Sequence, residues 1–347
     1  MKGGGYNRII GLDIPNLPPA IIRIPRTAGF MRQLIHDQHA LSLFLGNTAI
    51  PVPETIAYDA TIGNQIESEY IIQRRVPGVS LEEIYYSLGV NEKEHIMDQI
   101  IELLAEMEII QFPATGQLMA TGFLPDASIV GGSDTSHPAS VTTGSFAGYF
   151  ERPQPGPTPT TLEDVFADRL RVWDEEREEV PMFERLAEII AEIKSLAFFE
   201  QCSFAPNVLH HWDFEPRNIM VEGENGIYKV TALLDWDSVR SVPLVLARRP
   251  PAWLWLPKRE MTSSQDWWDG DVDELELGPA ELRTLFERKV AEKLGHLYLE
   301  DAFGKGRWIR RIWKFLLNGF DGSEDFKRFD RFEEEWNRYR ESIESAA

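Results

Sequence analysis

Over the first 75 residues the apolar positions come in short, β-branched bursts set between prolines and glycines. In "PPAIIRIPR" the run Ile21, Ile22, Ile24 stops at Pro25, which predicts a buried strand followed by a turn. "QLIHDQHALSLFL" spaces Leu34, Ile35, Leu41, Phe44 and Leu45 as a helix does, laid on that sheet. "PVPETIAYD" restarts extended structure, and "SEYIIQRRVPG" predicts a further strand ending at Pro77-Gly78.

From Ser80 onward the spacing turns helical. Ser80 with Glu83 reads as a capping box, and Asn91 with Glu94 as a second helix opening. Beyond it Met97, Ile100, Ile101, Leu104 and Met107 make one apolar face. Residues 126–161, rich in Gly, Ser, Thr and Pro, read as a surface insertion with one or two short strands. Thr161 opens a helix buried through Val165, Phe166, Leu170 and Trp173, and residues 183–198 supply another. Residues 278–299, 305–318 and 324–343 return to helix; the last carries Phe326, Phe329, Phe332, Trp336 and Tyr339 as a core-facing aromatic stripe.

A chain of 347 residues exceeds most single hydrophobic cores and suits a two-lobed unit. Its one cysteine, Cys202, cannot form an internal disulfide, which points to a reducing, cytoplasmic setting. The N-terminus lacks the apolar stretch of a secretory signal, and no run approaches the roughly 18 apolar residues of a membrane helix. Lys and Arg number 35 against 56 Asp and Glu, a net charge of −21 that argues against nucleic acid and anionic membranes and would attract a cationic small molecule.

Against this background "HHWDFEPRN", residues 210–218, crowds a histidine pair, two carboxylates, an arginine and an amide beside an apolar run. Ile219, Met220 and Val221, then "EGENG" with its Asn225-Gly226 pair, then "IYKVTALLDWD" predict an antiparallel hairpin. Asn218 opens its first strand and Asp235 closes its second, so the two ends lie side by side, with Asp213 on the incoming loop. Such oxygen donors suit a hard divalent ion such as Mg²⁺ and a base for a hydroxyl proton. The bland alternative is a set of turn and cap residues.

His211-x-Asp213, Asn218 and the strand-borne Asp235 match the H-x-D-x-x-x-x-N and metal-aspartate pattern of protein-kinase-like phosphotransferases. The chain resembles the aminoglycoside phosphotransferase family more closely, in the branch common in filamentous fungi. "LHHWDFEPRNIMV" is similar to its catalytic loop, "ALLDWDSVRSVPLVLA" to its metal-aspartate segment and "NTAIPVPETIAYD" to its N-lobe, over most of residues 3 to 322. The resemblance implies an α+β, protein-kinase-like, two-lobed fold. Residues 1–76 would form a small β-rich N-lobe and residues 77–347 a large, mainly helical C-lobe. It also implies ATP and Mg²⁺ as cofactors and a small-molecule hydroxyl as acceptor. Asp213 is implied as the base, His211 as its brace, and Asn218 and Asp235 as metal ligands.

Two N-lobe positions depart from that pattern. The family's phosphate-binding lysine falls on Arg23, which keeps the charge, and its helix glutamate falls on Gln38, which cannot complete an ion pair. Asp37, about 100° away around the helix, substitutes only if the helix is rotated. Gly3, Gly4 and Gly5 fit a glycine loop over the phosphates, although the strand expected before them has no room, which implies an N-lobe truncated at its start. Trp212, Glu215 and Arg217 stand where a glycine, a histidine and a glycine are usual and would reshape acceptor binding. Asp237 and the acidic, tryptophan-bearing stretch at 263–278, Asp269 included, are further acceptor candidates.

Rival classes are a kinase-shaped protein that binds nucleotide or a partner without turnover, and a metal-dependent glycosyltransferase using the "DWD" at 235–237. The second lacks a Rossmann alternation of strands and helices. Zinc hydrolysis through His36, His39, His210 and His211 lacks H-E-x-x-H, leaving those histidines as surface or bracing residues, and no P-loop G-x-x-x-x-G-K-[ST] occurs.

Overall fold

The computed structural model describes residues 7–28, 32–121, 141–145, 158–176, 180–200, 206–224, 227–256, 258, 280–320 and 322–346. Strands β1 (Asn7–Leu12) and β2 (Ala20–Pro25) precede helix α1 (Arg32–Leu45), which leads to β3 (Thr55–Asp59) and β4 (Tyr70–Arg74). The four strands form one antiparallel sheet in the order β1-β2-β4-β3, with α1 closing over Ile35, Tyr58, Ala60 and Ile71. Pro25 ends β2 as its missing amide requires. His36 and His39 lie against the Tyr58 ring, half-buried rather than on the surface.

The chain continues through β5 (Val79–Ser80), the short α2 (Leu81–Ile84), the long α3 (Val90–Ile109), β6 (Gln111–Phe112), β7 (Gly116–Ala120) and β8 (Val141–Gly144). Helices α4 (Leu162–Glu176) and α5 (Val180–Ser195) lead to β9 (Asn207–His210), β10 (Ile219–Glu224), β11 (Ile227–Leu233) and β12 (Arg240–Pro243). Helices α6 (Leu244–Ala247), α7 (Ala280–Leu294), α8 (Leu297–Phe303), α9 (Lys305–Asn318) and α10 (Ser323–Ala346) follow. Gly295, at φ +87°, divides the stretch expected as one helix over 278–299 into α7 and α8.

Two further sheets position the site. One has the order β11-β10-β5, and the other, β6-β9-β12-β7-β8, brings together strands of two to five residues. Strands so short carry no readable alternation, so this second sheet was not predicted from the sequence. Within the 126–161 stretch, β8 is described and pairs with β7; most of that segment lies outside the described residues.

Helix starts also differ from expectation. The opening of α3 is at Val90, where the Gly89 amide donates to the Glu92 carboxylate at 2.6 Å, rather than at Asn91 with Glu94. Ser80 makes no cap hydrogen bond to α2. The predicted aromatic stripe is core: Phe329, Phe332 and Trp336 are fully buried against Trp308, Ile312 and Leu316. A second core joins Ile96, Met97, Ile100 and Ile101 of α3 to Leu233 and Trp253.

Gly78 makes the crossing from the first sheet to β5. It sits at φ +94°, and an added Cβ would lie 2.1 Å from Val221 O on β10. Gly78→Ala should therefore lower the unfolding free energy by about 1–3 kcal/mol, read as an earlier denaturant midpoint. An unchanged midpoint would show that this close approach does not form.

Candidate active site

The loop between β9 and β10 is held by its own backbone and by side chains from outside. Asp213 O accepts from Glu215 N, and Glu215 O from Asn218 N, each at 2.9 Å, which folds Pro216–Asn218 into one 3₁₀ turn. The Trp253 indole donates to Phe214 O at 3.1 Å. Ser80 Oγ reaches Pro216 O at 3.3 Å and Arg217 O at 3.2 Å, so the residue expected to cap α2 instead fixes this loop. With its carbonyls partnered, the polar segment is tolerated beside a buried strand.

His211 is 2 % exposed. Its Nε2 donates to Leu234 O at 2.9 Å, and its ring stands edge-on to Trp236 with centroids 4.7 Å apart. Burial holds its pKa below the usual range against the opposing Leu234 carbonyl and Asp213, so the ring is neutral near pH 7. It ties the exit of β11 to the loop that carries Asp213.

Asn218 Nδ2 donates to Asp213 twice, to its backbone O at 2.9 Å and to Oδ2 at 2.8 Å. With that nitrogen committed, Oδ1 is the atom Asn218 has left for a cation. Arg217 donates to the other carboxylate oxygen of Asp213 at 2.5 Å. Both oxygens of the implied base are therefore oriented from within its own loop.

The hairpin register delivers Asp235. Ile219 pairs with Leu233, and Leu234 N donates to Asn218 O at 2.7 Å, so the next residue emerges beside Asn218. Asp235 holds φ 64°, ψ 57°, a left-handed conformation that is strained for a residue with a side chain. Although 47 % of its side chain is exposed, desolvation and then the neighbouring Asp237 push its carboxyl up to about 7, with Arg23 opposing.

Arg23 and Gln38 converge on a single carboxylate, Asp237. Arg23 Nη2 donates to both its oxygens, at 2.9 and 3.2 Å, and lies 3.6 Å from Asp235 Oδ1. Gln38 Nε2 donates to Asp237 Oδ1 at 2.5 Å. Asp237, expected at the acceptor, is thus engaged by the N-terminal sheet and helix. Asp37 turns the other way and accepts from Ala120 N on β7 at 2.8 Å, so α1 is not rotated to bring it to Arg23.

Among the described residues no group of three or more His, Cys, Asp or Glu is arranged to hold a metal. Mg²⁺ does not need one, because it keeps waters and takes one or two protein oxygens beside substrate phosphates. Asn218 Oδ1 and the strained, charge-starved carboxylate of Asp235 fit that donor set.

An open cavity of about 130 Å³ borders the loop, lined in part by Glu82, Tyr86, Trp212, Glu215, Arg217 and Arg249. Burial pushes the Glu215 carboxyl up to about 7 against Arg249 and Arg217, and burial with Glu215 and Glu82 pushes the Tyr86 phenol up to about 12. The Trp212 indole is fixed by the Arg240 guanidinium, 4.3 Å from its ring centroid. Gly3, Gly4, Gly5, Asp269 with the rest of 263–278, and the Asn225-Gly226 turn lie outside the described residues.

Sequence reasoning missed Ser80, Trp236, Trp253 and Arg240 as supports of the loop. Ser80 was visible as a polar residue opening a helix, but its partners are 136 and 137 positions away. Only the pairing of β5 with β10 brings them together.

Residues 3–245 match the model of the phosphotransferase enzyme family, a narrower span than the 3 to 322 expected. Two relatives from Aspergillus fumigatus, each described as a subtelomeric hrmA-associated cluster protein, are 37% identical over 120 and 117 residues. The matches cover 34% and 33% of this chain and 24% and 23% of the relatives, so the chain spans about a quarter of the length of the curated relatives it matches. Among solved structures, two thermostable mutants of aminoglycoside phosphotransferase APH(4)-Ia are similar, both ternary complexes with AMP-PNP and hygromycin B. Their TM-scores are 0.51 and 0.52 at 15% and 14% identity, covering 100% and 97% of this chain and 93% and 90% of theirs. At that identity the shared property is the fold, the kinase-like α+β architecture expected from the sequence.

Proposed function

The chain belongs to the phosphotransferase enzyme family, and from that premise we propose that it transfers the γ-phosphoryl group of ATP, with Mg²⁺, to a hydroxyl of a small molecule. The observation that carries the proposal is the convergence of Asp213, Asn218 and Asp235 at one hairpin edge, with Arg23 reaching the same edge from β2. Asp213 receives the acceptor's hydroxyl proton, oriented by Asn218 and Arg217. Asn218 and Asp235 hold Mg²⁺, which neutralises charge on the nucleotide phosphates when bound. Arg23 supplies a fixed cation toward the same phosphates.

The nucleotide lies between an N-lobe, residues 1–76, and a C-lobe, residues 77–347. The acceptor occupies the cavity beside the loop, with Glu215 and Arg217 on its wall. Among the described residues no helix is long and apolar enough to cross a membrane. With the single Cys202, that supports a cytoplasmic setting.

The test is a nucleotide-consumption screen against amino and hydroxyl metabolites, with Asp213→Asn as the blank. At least one acceptor should drive ADP release in the wild type and not in the blank. The Arg217–Asp213 ion pair favours one second reading, a protein that binds nucleotide while its base is engaged. ATP binding without acceptor-dependent ADP release, together with turnover appearing in Arg217→Gly, would establish that reading instead.

A further inference from the structure

Arg23 and Gln38 stand where the family pattern has a lysine and a helix glutamate, so the expected ion pair between sheet and helix has lost its anion. The structure shows where the anion has gone. Asp237, in the 3₁₀ turn after Asp235, accepts from Arg23 with both oxygens and from Gln38 with one. Its side chain is 9 % exposed and that of Arg23 13 %, so the pair is shielded from solvent and salt. Helix α1 packs directly on this turn. Gln38 is itself buried, and its Oε1 has no hydrogen-bond partner among the described residues.

We infer that Asp237 is the positioning residue for the phosphate-gripping cation: it replaces the missing helix glutamate as the counter-ion of Arg23, and Gln38 is the amide that orients it. The inference rests on the nucleotide-binding reading above and adds a role to a residue that reading does not use. Three charges meet here, Arg23 with Asp235 and Asp237, and Asp235 has to remain available for a cation. A full counter-ion bonded to the same Arg23 Nη2 competes with the metal-binding carboxylate 3.6 Å away and so limits how far the guanidinium is drawn onto it. A glutamine at position 38 is then required, because a glutamate would place a second carboxylate at the 2.5 Å contact with Asp237.

The expected consequence runs against the family pattern. Gln38→Glu, which restores the usual residue, should weaken binding of Mg-AMP-PNP about tenfold. Asp237→Asn should weaken it by a similar factor, since Arg23 loses its counter-ion. The double variant exchanges carboxylate and amide between two facing positions and should recover affinity to within about threefold of the wild type. The measurement is a titration calorimetry cycle on the four proteins, with thermal melts run in parallel.

If Gln38→Glu binds as tightly as the wild type or tighter, the inference is wrong. It is equally wrong if the double variant is as weak as the sum of the two singles. A purely structural role predicts lowered melting temperatures with unchanged nucleotide affinity, and that pattern also overturns it. Should the wild type fail to bind Mg-AMP-PNP at all, the phosphotransferase reading itself falls, a result distinct from the other three.

Discussion

Asp213→Asn is expected to lower the acceptor-dependent turnover by about 10²–10⁴-fold, the usual contribution of a positioned general base. The affinity for Mg-AMP-PNP should stay within about twofold, because an effect confined to the transition state leaves ground-state binding alone. The geometry explains why the two readouts separate. Asparagine keeps the shape of the side chain, and Asn218 retains its 2.9 Å hydrogen bond to the backbone carbonyl at position 213. His211, bonded to Leu234 O and seated on Trp236, continues to brace the loop. What the variant lacks is an atom that can accept a proton. Turnover is measured as acceptor-dependent ADP release and affinity by calorimetry. Turnover equal to that of the wild type would remove Asp213 from the role of base, and a collapse of nucleotide affinity would show that it acts through the fold of the loop.

The parts of this arrangement that the sequence revealed are those governed by local rules. A β-branched run ending at Pro25, the antiparallel pairing of β10 with β11 and an aromatic stripe at helical spacing each follow from backbone chemistry within a dozen residues. The adjacency of Asn218 and Asp235 is legible for the same reason, since an antiparallel pair fixes which ends meet. Ser80 shows where local reasoning stops: a serine three residues before a glutamate satisfies the capping pattern, yet a four-residue helix offers little to cap. The hydroxyl instead reaches two loop carbonyls, Pro216 O and Arg217 O.

Asp237 and Asp37 illustrate a second limit. Both are single carboxylates whose partners come from elements far away in the chain, Arg23 and Gln38 in one case and Ala120 in the other. Position along a helix identifies which side chains share a face, but not what the face meets. The five-stranded sheet was hidden for a related reason. Its strands are stabilised by one another, as β12 is by β9 on one side and β7 on the other, and not by any period of their own.

Asp235→Ala should abolish most of the magnesium-dependent part of nucleotide affinity, a weakening on the order of 100-fold when one member of a desolvated charge pair is removed. The same variant should gain stability relative to the wild type in the absence of nucleotide as pH rises. The carboxyl of Asp235 is raised from 3.8 to about 7, so between those values the folded chain holds a proton there that the unfolded chain has released. Stability of the wild type therefore falls as pH rises through that window. With 47 % of the side chain exposed, solvent screens part of this effect, and the direction is the prediction. The alanine variant escapes this loss, so its melting temperature relative to that of the wild type should rise between pH 4 and pH 8. Magnesium binding runs opposite to the apo stability, because the cation requires the deprotonated carboxylate. In the wild type the magnesium-dependent gain in Mg-AMP-PNP affinity should shrink as pH falls below about 7, and in the variant that pH dependence should vanish. A variant that keeps both the magnesium response and its pH slope would move the metal away from Asp235. One that loses the response without any gain in apo stability would leave the metal assignment standing but show that the raised pKa does not reflect electrostatic stress at the hairpin end.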